Sequence, residues 1–195
     1  MKTKIRYYKP EDELAWVRCR VLSFLDSAYY DNVYRNKEHY DCPAIELVAE
    51  IDGKIVGLLD LEYEKEIGDV GYKSSVLTGV IWHLAVLPEY RNLGVATMLL
   101  EKARELAVEQ NIELIQAWTR DDLWVLDWYK KRGFINKESY LHVYASDAEC
   151  DLVADVKIPK MYSSNIFSHY LGDDPKMIRS KFERVHECNL FELKI

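Results

Sequence analysis

The chain of 195 residues lacks several features that mark large classes of protein. No apolar run approaches the ~18 residues that a membrane-spanning helix needs, so we predict no membrane association. The four cysteines form no Cys-x-x-Cys pair, and His186-x-Cys188 offers only two ligands, so we predict no metal site. No apolar signal region follows the basic start, so we expect reduced thiols and a cytoplasmic protein.

Positive charge and glycine are also scarce. The formal net charge of −7 argues against nucleic acid as a partner, because phosphate binding at ordinary salt needs a positive face. The eight glycines form neither a Gly-x-Gly-x-x-Gly turn nor a Gly-Lys-Ser/Thr ending, which excludes the dinucleotide fingerprint and the Walker loop. With 49% hydrophobic and 30% charged residues, the composition is typical of a folded globular protein.

The most informative stretch runs from Val80 to Gln110. An apolar run over 80–86 predicts a strand, and apolar residues at helical spacing predict a helix over 94–110. Gly94 lies in the basic turn between them. A glycine-containing turn that opens a helix presents unpaired backbone N–H groups and the positive end of the helix dipole, which bind phosphate. The pattern therefore predicts an anion site at this turn.

The remaining elements alternate along the chain. We predict strands over 5–8, 45–51, 54–63, 113–119 and 134–144, and helices that start near Pro10 and over 122–132. Asp52-Gly53 indicates a two-residue hairpin. A hairpin followed by strand-helix-strand units predicts an α/β fold with a mixed sheet and helices on its faces.

Two motifs in this order resemble the GNAT superfamily of acyl-CoA-dependent N-acyltransferases. Arg91-x-x-Gly94-x-Ala96 is similar to the family's pyrophosphate loop, and Trp128-Tyr129 before Gly133-Phe134 is similar to its aromatic-Tyr-x-x-x-Gly-Phe signature. The resemblance covers roughly residues 3–145. It implies an N-acetyltransferase domain over 1–145 and a C-terminal extension over 146–195 that packs on the core or on a partner.

The chemistry implied by the resemblance is direct transfer of an acetyl group from acetyl-CoA to a primary amine, with no metal. The pantetheine arm would lie where strand 80–86 separates from strand 113–119, and backbone N–H groups would hold the pyrophosphate. The resemblance assigns cofactor binding to Ala85, Val86, Arg91, Asn92, Leu93, Gly94, Val95, Ala96, Thr97 and Asp122.

Tyr129 matches the family tyrosine whose hydroxyl reaches the CoA sulfur, so the resemblance assigns it as the catalytic acid. A phenol of pKa ~10 keeps its proton at neutral pH and can donate it to a thiolate. The alternative is a buried aromatic residue with a structural role. The base stays unassigned: His83 faces away from Trp82 in a regular strand, although a bulge could re-aim it, and Glu62 and Glu64 are alternatives that would act through a water.

One departure from the family pattern favours a second hypothesis. Asp122 stands seven residues before Tyr129, where the family commonly has Asn, and is expected to cap its helix. Together with the missing base, it leaves open a non-catalytic acyl-CoA-binding or regulatory protein.

The resemblance implies that the region after the first strand and helix forms one wall of the acceptor site. It carries tyrosines and acids that would suit a cationic or aromatic amine, or that would simply pack on the sheet and contact solvent. These residues are Tyr29, Tyr30, Tyr34, Tyr40, Asp26, Asp31, Glu38 and Asp41. The acceptor is expected to be a small-molecule or peptide amine.

The tail beyond Ser146 is too apolar to stay free. We predict that residues 161–171 are buried on the core or on a second copy of the chain in a homodimer, and that 175–187 form a helix.

Overall fold

The structure is a computed structural model that describes residues 2–195; Met1, where the predicted catalytic domain begins, lies outside them. The described chain forms one mixed eight-stranded sheet with four α-helices, which confirms the predicted fold class. The strands are β1 (Lys4–Tyr7), β2 (Ala44–Ile51), β3 (Lys54–Tyr63), β4 (Thr78–Val86), β5 (Leu114–Thr119), β6 (Ile135–Ser146), β7 (Asn165–Tyr170) and β8 (Arg184–Lys194). The helices are α1 (Glu13–Phe24), α2 (Val95–Glu109), α3 (Leu123–Lys131) and α4 (Pro175–Lys181).

The hairpin between β2 and β3 forms at the predicted dipeptide. Asp52 and Gly53 have φ angles of 50° and 76°, so both occupy the left-handed region that a tight two-residue hairpin requires. This turn fixes the antiparallel register of β2 and β3.

The sheet order is β1-β2-β3-β4-β5-β8-β6-β7, so the last strand lies in its middle. β8 pairs antiparallel with β5 on one side and with β6 on the other. The observed arrangement differs from a division at residue 145, since that boundary falls within β6 and part of the predicted extension completes the central sheet. The pairing requires it, because without β8 both β5 and β6 would leave a row of backbone groups unpaired.

Helices cover the two faces of the sheet differently. Gly57 on β3 approaches Val95 and Leu99 of α2, whereas His83 on β4 contacts Trp16 of α1, so α1 and α2 pack on opposite faces. The main core lies between the sheet and these helices. A second, smaller core lies under α4 and contains Leu141, Val143, Ala145, Cys150, Ile178 and Phe182.

The tail forms less helix and buries less surface than the sequence predicts. α4 ends at Lys181 because Phe182 is extended, with φ −125° and ψ 136°, and leads into β8. Met161, Tyr162 and Leu171 are exposed, so the expected burial of 161–171 on the core is wrong for these three side chains. They belong to loops on either side of β7, away from the second core.

The buried position of β8 leads to a stability prediction. Phe191 is 0% exposed and stacks on Tyr129 at 5.4 Å between ring centroids. We predict that Phe191→Ala lowers the free energy of unfolding by about 3–5 kcal/mol, because it removes a large buried ring and leaves a cavity. Urea denaturation measures the change.

Leu171→Ala is the matched control, because Leu171 is 73% exposed and the substitution should change stability by less than about 0.5 kcal/mol. Equal effects of the two substitutions would contradict a core position for β8.

Candidate active-site cleft between β4 and β5

β4 and β5 run parallel and separate part of the way along. Their pairing extends from Thr78 opposite Leu114 to Ile81 opposite Ala117 and then stops. Just beyond this point β4 contains a bulge: Asp60 of β3 pairs with His83 and Leu61 pairs with Ile81, so Trp82 has no partner. A bulge bends its strand, and here the bend coincides with the opening of the gap.

The gap belongs to an open cleft of about 1280 Å³. At one end the cleft reaches the turn before α2, and at the other it reaches Glu38, His83 and the aromatic rings of Trp118, Tyr140 and His142 on β5 and β6. The separation predicted from strands 80–86 and 113–119 is therefore present.

The turn before α2 presents a series of backbone N–H groups without partners in the described chain. The amide of Arg91 bonds to Pro88 and that of Met98 to Gly94, whereas the six amides of residues 92–97 make no backbone or side-chain hydrogen bond. Gly94 has a φ of 79°, and a Cβ built there would meet open space. No acidic side chain lies in the first turn of α2. Asn92, Gly94, Val95, Ala96 and Thr97 line the cleft, and Leu93 is exposed beside it.

Arg91 is placed differently from the sequence expectation of a phosphate contact. Its guanidinium forms a two-pronged ion pair with Asp26 at 2.6 and 2.9 Å, and it also donates to the carbonyls of Ser23 and Val86. These contacts lower the pKa of Asp26, chiefly through the Arg91 hydrogen bond. Arg91 thus fastens the end of α1 to the end of β4, and this use of its donors is not visible in the motif.

The backbone N–H and C=O groups of successive β4 residues point alternately toward the gap and toward β3. The amide of Leu87 donates to Val56 on the β3 side, so the antiparallel alternation turns the groups of Ala85 toward β3 and those of Leu84 and Val86 toward the gap. The backbone groups of Val86 therefore face the gap, where the pantetheine arm is expected from the sequence. For Ala85 the free backbone groups belong instead to its neighbour Leu84, because register within a strand cannot be counted from the motif alone.

Tyr129 lies on α3 with its ring 5% exposed. The ring stacks on Phe191 and meets Phe134 edge-on at 5.0 Å, which fixes its orientation. It lines the cleft, and within residues 2–195 its hydroxyl makes no hydrogen bond. Burial raises the pKa of Tyr129 above its ordinary value, so the phenol keeps its proton through the physiological range.

Asp122 occupies the position before α3, but its side chain forms no capping bond. Both carboxylate oxygens instead accept from the amide of Ala28 at 3.1 Å. Burial raises the pKa of this carboxyl. The expected helix cap is therefore wrong, and Asp122 ties the loop after α1 to the cleft.

A linked group of side chains lies at the acceptor end of the cleft, and the sequence did not assign it. Arg20 donates through Nε to Nδ1 of His83 at 3.2 Å. Nδ1 is then an acceptor, so Nε2 carries the ring proton and donates to Glu38 at 2.8 Å. The His83 hydrogen bond lowers the pKa of Glu38, which is therefore ionised at neutral pH. A histidine on a strand and a glutamate 45 positions away give no joint sequence signal.

Glu62 and Glu64 lie outside this group. Glu64 accepts from the amides of Gly68, Val70, Gly71 and Thr78, and so holds the loop before β4. Glu62 accepts from the Cys42 amide and from the Trp82 indole. Neither lines the cleft, so neither retains the role of candidate base.

The predicted acidic wall is largely neutralised within the protein. Asp26 pairs with Arg91 and Asp31 pairs with Arg184, whereas Glu38 accepts from the uncharged His83 ring and keeps its negative charge. Within residues 2–195, no group of three or more His, Cys, Asp or Glu side chains is arranged to hold a metal ion. None of the helices in this part of the chain is long and apolar enough to cross a membrane.

Comparison with known proteins gives consistent matches. The family model described as Acetyltransferase (GNAT) family matches residues 11–134. The uncharacterized protein YxbD of Bacillus subtilis is 28% identical over 154 residues, which are 72% of this chain and 89% of the relative. An N-alpha-acetyltransferase of Sulfurisphaera tokodaii is 30% identical over 129 residues, which are 65% of this chain and 75% of the relative.

A solved structure extends the match to the whole fold. The PaiA N-acetyltransferase of Thermoplasma acidophilum, determined in complex with coenzyme A, superposes with a TM-score of 0.59 at 14% identity and covers 100% of both chains. The family match includes the turn before α2 and the Tyr129 motif, so it confirms the resemblance found in the sequence. The chain belongs to the acetyltransferase (GNAT) family and is an acyltransferase of that family.

Proposed function

We propose that this protein transfers an acetyl group from acetyl-CoA to a primary amine by direct attack of the amine on the thioester. One observation carries the proposal: a single cleft connects the free amides of residues 92–97, the gap between β4 and β5, Tyr129 and Glu38. The relative named N-alpha-acetyltransferase supports an amine as acceptor.

The cleft fits acetyl-CoA by its own chemistry. Free amides at a helix N-terminus suit the pyrophosphate, and the open space beside Gly94 admits it closely. The exposed backbone groups of Leu84 and Val86 suit the amides of the pantetheine arm, which would pair as an added strand. When bound, acetyl-CoA supplies an acetyl group that is activated as a thioester.

Tyr129 is proposed as the acid. Its hydroxyl holds a proton at the cleft surface, has no competing partner in the described chain and is oriented by two aromatic contacts. The proton passes to the departing thiolate as the carbon–sulfur bond breaks. A phenol whose pKa is raised by burial is still in its acidic form when the thiolate appears.

Glu38 is proposed to receive the amine. Its Oε2 accepts from His83, whereas Oε1 makes no hydrogen bond within residues 2–195 and is available to an ammonium group. The carboxylate attracts the ammonium and holds it at the cleft, and the ammonium loses its proton to solvent water before attack. His83 and Arg20 act as positioning residues that hold this carboxylate at the cleft.

The alternative of a non-catalytic acyl-CoA-binding protein is not favoured. It depended on the missing base and on Asp122. Glu38 supplies a carboxylate at the acceptor end, and Asp122 bonds to the amide of Ala28 without obstructing the gap between the strands. Release of the CoA thiol in the presence of an amine would exclude a purely binding role.

The first prediction concerns the phosphate turn. Gly94→Glu should weaken CoA binding at least 100-fold, because the new carboxylate projects into the space assigned to the pyrophosphate and repels it. Isothermal titration calorimetry with CoA measures the affinity.

Gly53→Glu is the control for backbone strain. Gly53 has a φ of 76° and open space around its Cβ, like Gly94, but lies in the hairpin between β2 and β3. Equal CoA affinity in the two variants would overturn the assignment of the turn.

The second prediction concerns Tyr129. Tyr129→Phe should lower kcat by roughly 10²–10⁴-fold with CoA affinity nearly unchanged, because it removes only the proton donor. Tyr63→Phe is the control, since it removes a hydroxyl that bonds to Gln110 at 3.2 Å outside the cleft. Full turnover in Tyr129→Phe would leave Tyr129 with a structural role only.

The third prediction concerns Glu38. Glu38→Gln should raise KM for the amine by roughly tenfold or more, because it removes a charge-assisted contact to the ammonium. Asp41→Asn makes the same charge change in the same segment at an exposed side chain and should leave KM unchanged.

The lowered pKa of Glu38 determines how the effect of Glu38→Gln should depend on pH. The pKa of Glu38 is lowered, so its contribution is complete at neutral pH and is lost only when pH falls through that lowered pKa. The ratio between wild type and Glu38→Gln should stay constant from pH 6 to 8, while both rates rise toward the pKa of the amine. A ratio that grows steadily across this interval would contradict the role of Glu38.

A further inference from the structure

We propose that the acceptor amine is attached to a planar aromatic group, and that this group lies on an aromatic floor formed by Trp118, Tyr140, His142, Phe167 and His169. The inference rests on the proposed function, because it names the class of acceptor for the same cleft. Three observations carry it: the floor continues the cleft, its outer rings Phe167 and His169 are exposed, and the neighbouring tyrosines are already in contact with cations of the protein.

The floor is the part of the α1-side face that no described helix covers. α1 packs on β3 and β4. On β6, Leu141, Val143 and Ala145 point toward α4 in the second core, so Tyr140 and His142 point to the opposite face by alternation. His169 of β7 pairs with His142 and extends this face by one strand. The extra strand therefore enlarges the acceptor side of the cleft.

The rings of the floor contact one another in sequence across the strands. Trp118 and Tyr140 lie 5.3 Å apart, and Tyr140 and His169 lie 4.9 Å apart, both edge-on. His142 and His169 stack at 4.8 Å with an interplanar angle of 10°. Phe167 meets His142 edge-on at 5.0 Å. Trp118, Tyr140 and His142 line the cleft itself, so the floor is continuous with the reaction centre.

The tyrosines of the predicted acceptor wall are not available to a cationic acceptor. Each of the four lies against a cation of the protein, at 4.0 to 4.9 Å from the ring centroid. The pairs are Tyr29 with Arg120, Tyr30 with Arg184, Tyr34 with Arg20, and Tyr40 with Lys37. The expectation that this wall attracts a cationic amine is therefore not supported, because each of these tyrosine rings already makes a cation–π contact within the protein.

Two of these cations also disfavour a polycationic acceptor. Arg20 is 2% exposed and Arg120 is 4% exposed, and within residues 2–195 neither forms a salt bridge. Arg20 donates to His83 and to Asn32, and Arg120 donates to His142, Ala28 and Tyr144. Buried positive charge without a contacting carboxylate repels further positive charge nearby.

The central ring of the floor, His142, is uncharged. Arg120 donates through Nε to Nδ1 of His142, so Nε2 carries the proton and donates to the Tyr140 hydroxyl at 3.0 Å. Burial, together with Arg120, lowers the pKa of His142 to about 4, so this ring is neutral at physiological pH. A surface of stacked and edge-on rings suits an aromatic ring, which gains both apolar burial and ring–ring contact.

The free carboxylate oxygen of Glu38 completes the argument. Glu38 can receive one ammonium group, and the floor can receive a planar body beside it. An arylalkylamine has this combination of one amine and one ring. A polyamine or an aminoglycoside has several amines and no ring, so it gains nothing from the floor and its further charges meet the buried guanidinium groups of Arg20 and Arg120.

The first test compares acceptors with the full-length protein and acetyl-CoA, with thiol release as the readout. 2-Phenylethylamine should give a kcat/KM at least tenfold above that of 2-cyclohexylethylamine, which has a similar size and amine but no planar ring. It should also exceed spermidine and a short peptide with a free N-terminus. Equal rates with the phenyl and cyclohexyl amines, or the highest rate with spermidine or the peptide, would overturn the proposal.

The second test uses variants of the floor. Phe167 and His169 are exposed at the rim, so Phe167→Ala and His169→Ala should leave the fold and CoA affinity unchanged. Each should raise KM for 2-phenylethylamine by roughly tenfold, with little change for the cyclohexyl amine. Leu171→Ala, one residue beyond β7, is the control and should change neither. Unchanged KM for the phenyl amine in both floor variants would contradict the assignment.

Binding of 2-phenylethylamine in the presence of CoA, followed by tryptophan fluorescence, separates this inference from the proposed function. Binding that is lost in His169→Ala, without thiol release from any amine, would support the floor and overturn acetyl transfer. Transfer to other amines without binding of the phenyl amine would overturn the floor alone. Absence of both would overturn both.

Discussion

The separation of β4 from β5 is the constraint on which the rest of the structure depends. Parallel pairing ends at Ile81 and Ala117, and the backbone of β4 beyond that point has no strand beside it. Unpaired backbone in a sheet is costly unless something pairs with it, so the gap is stable only beside solvent or a strand-like ligand. β8 makes the gap possible, because it pairs with the other edge of β5 and holds that strand in place. The C-terminal strand therefore supports the site although it contributes none of the residues that the motifs identify.

Much of the fold follows from the sequence, because the signals are local. The Asp52-Gly53 turn, the apolar stripe of α2 and the glycine at its start each involve a few neighbouring residues, and the structure has them where the patterns predict. The place of β8 could not be read in this way. Apolar residues of 177–185 fall at helical spacing, and only the unpaired edges of β5 and β6, brought together in three dimensions, select a strand.

The same distinction between local and long-range signals applies to the residues of the candidate site. The phosphate turn and Tyr129 lie in contiguous motifs and were identified directly. The sequence does not reveal the partners of the side chains beside them. Arg91 contacts Asp26, Asp122 contacts Ala28 and His83 contacts Glu38, each across a long stretch of sequence. In each case a charged side chain that the pattern leaves free is held by another group of the protein. The acceptor end consequently has the Glu38 carboxylate beside an aromatic floor, which the counts of Tyr and Asp alone do not reveal.

The central claim is that acetyl-CoA bonds to the free amides of the turn before α2 and pairs with the open edge of β4. Amide hydrogen exchange, followed residue by residue by NMR with and without CoA, tests it most directly. The account predicts slower exchange at the amides of residues 92–97 and at those of Leu84 and Val86, with no change in the Asp52-Gly53 turn. Unchanged exchange at residues 92–97 in the CoA-saturated protein would contradict it.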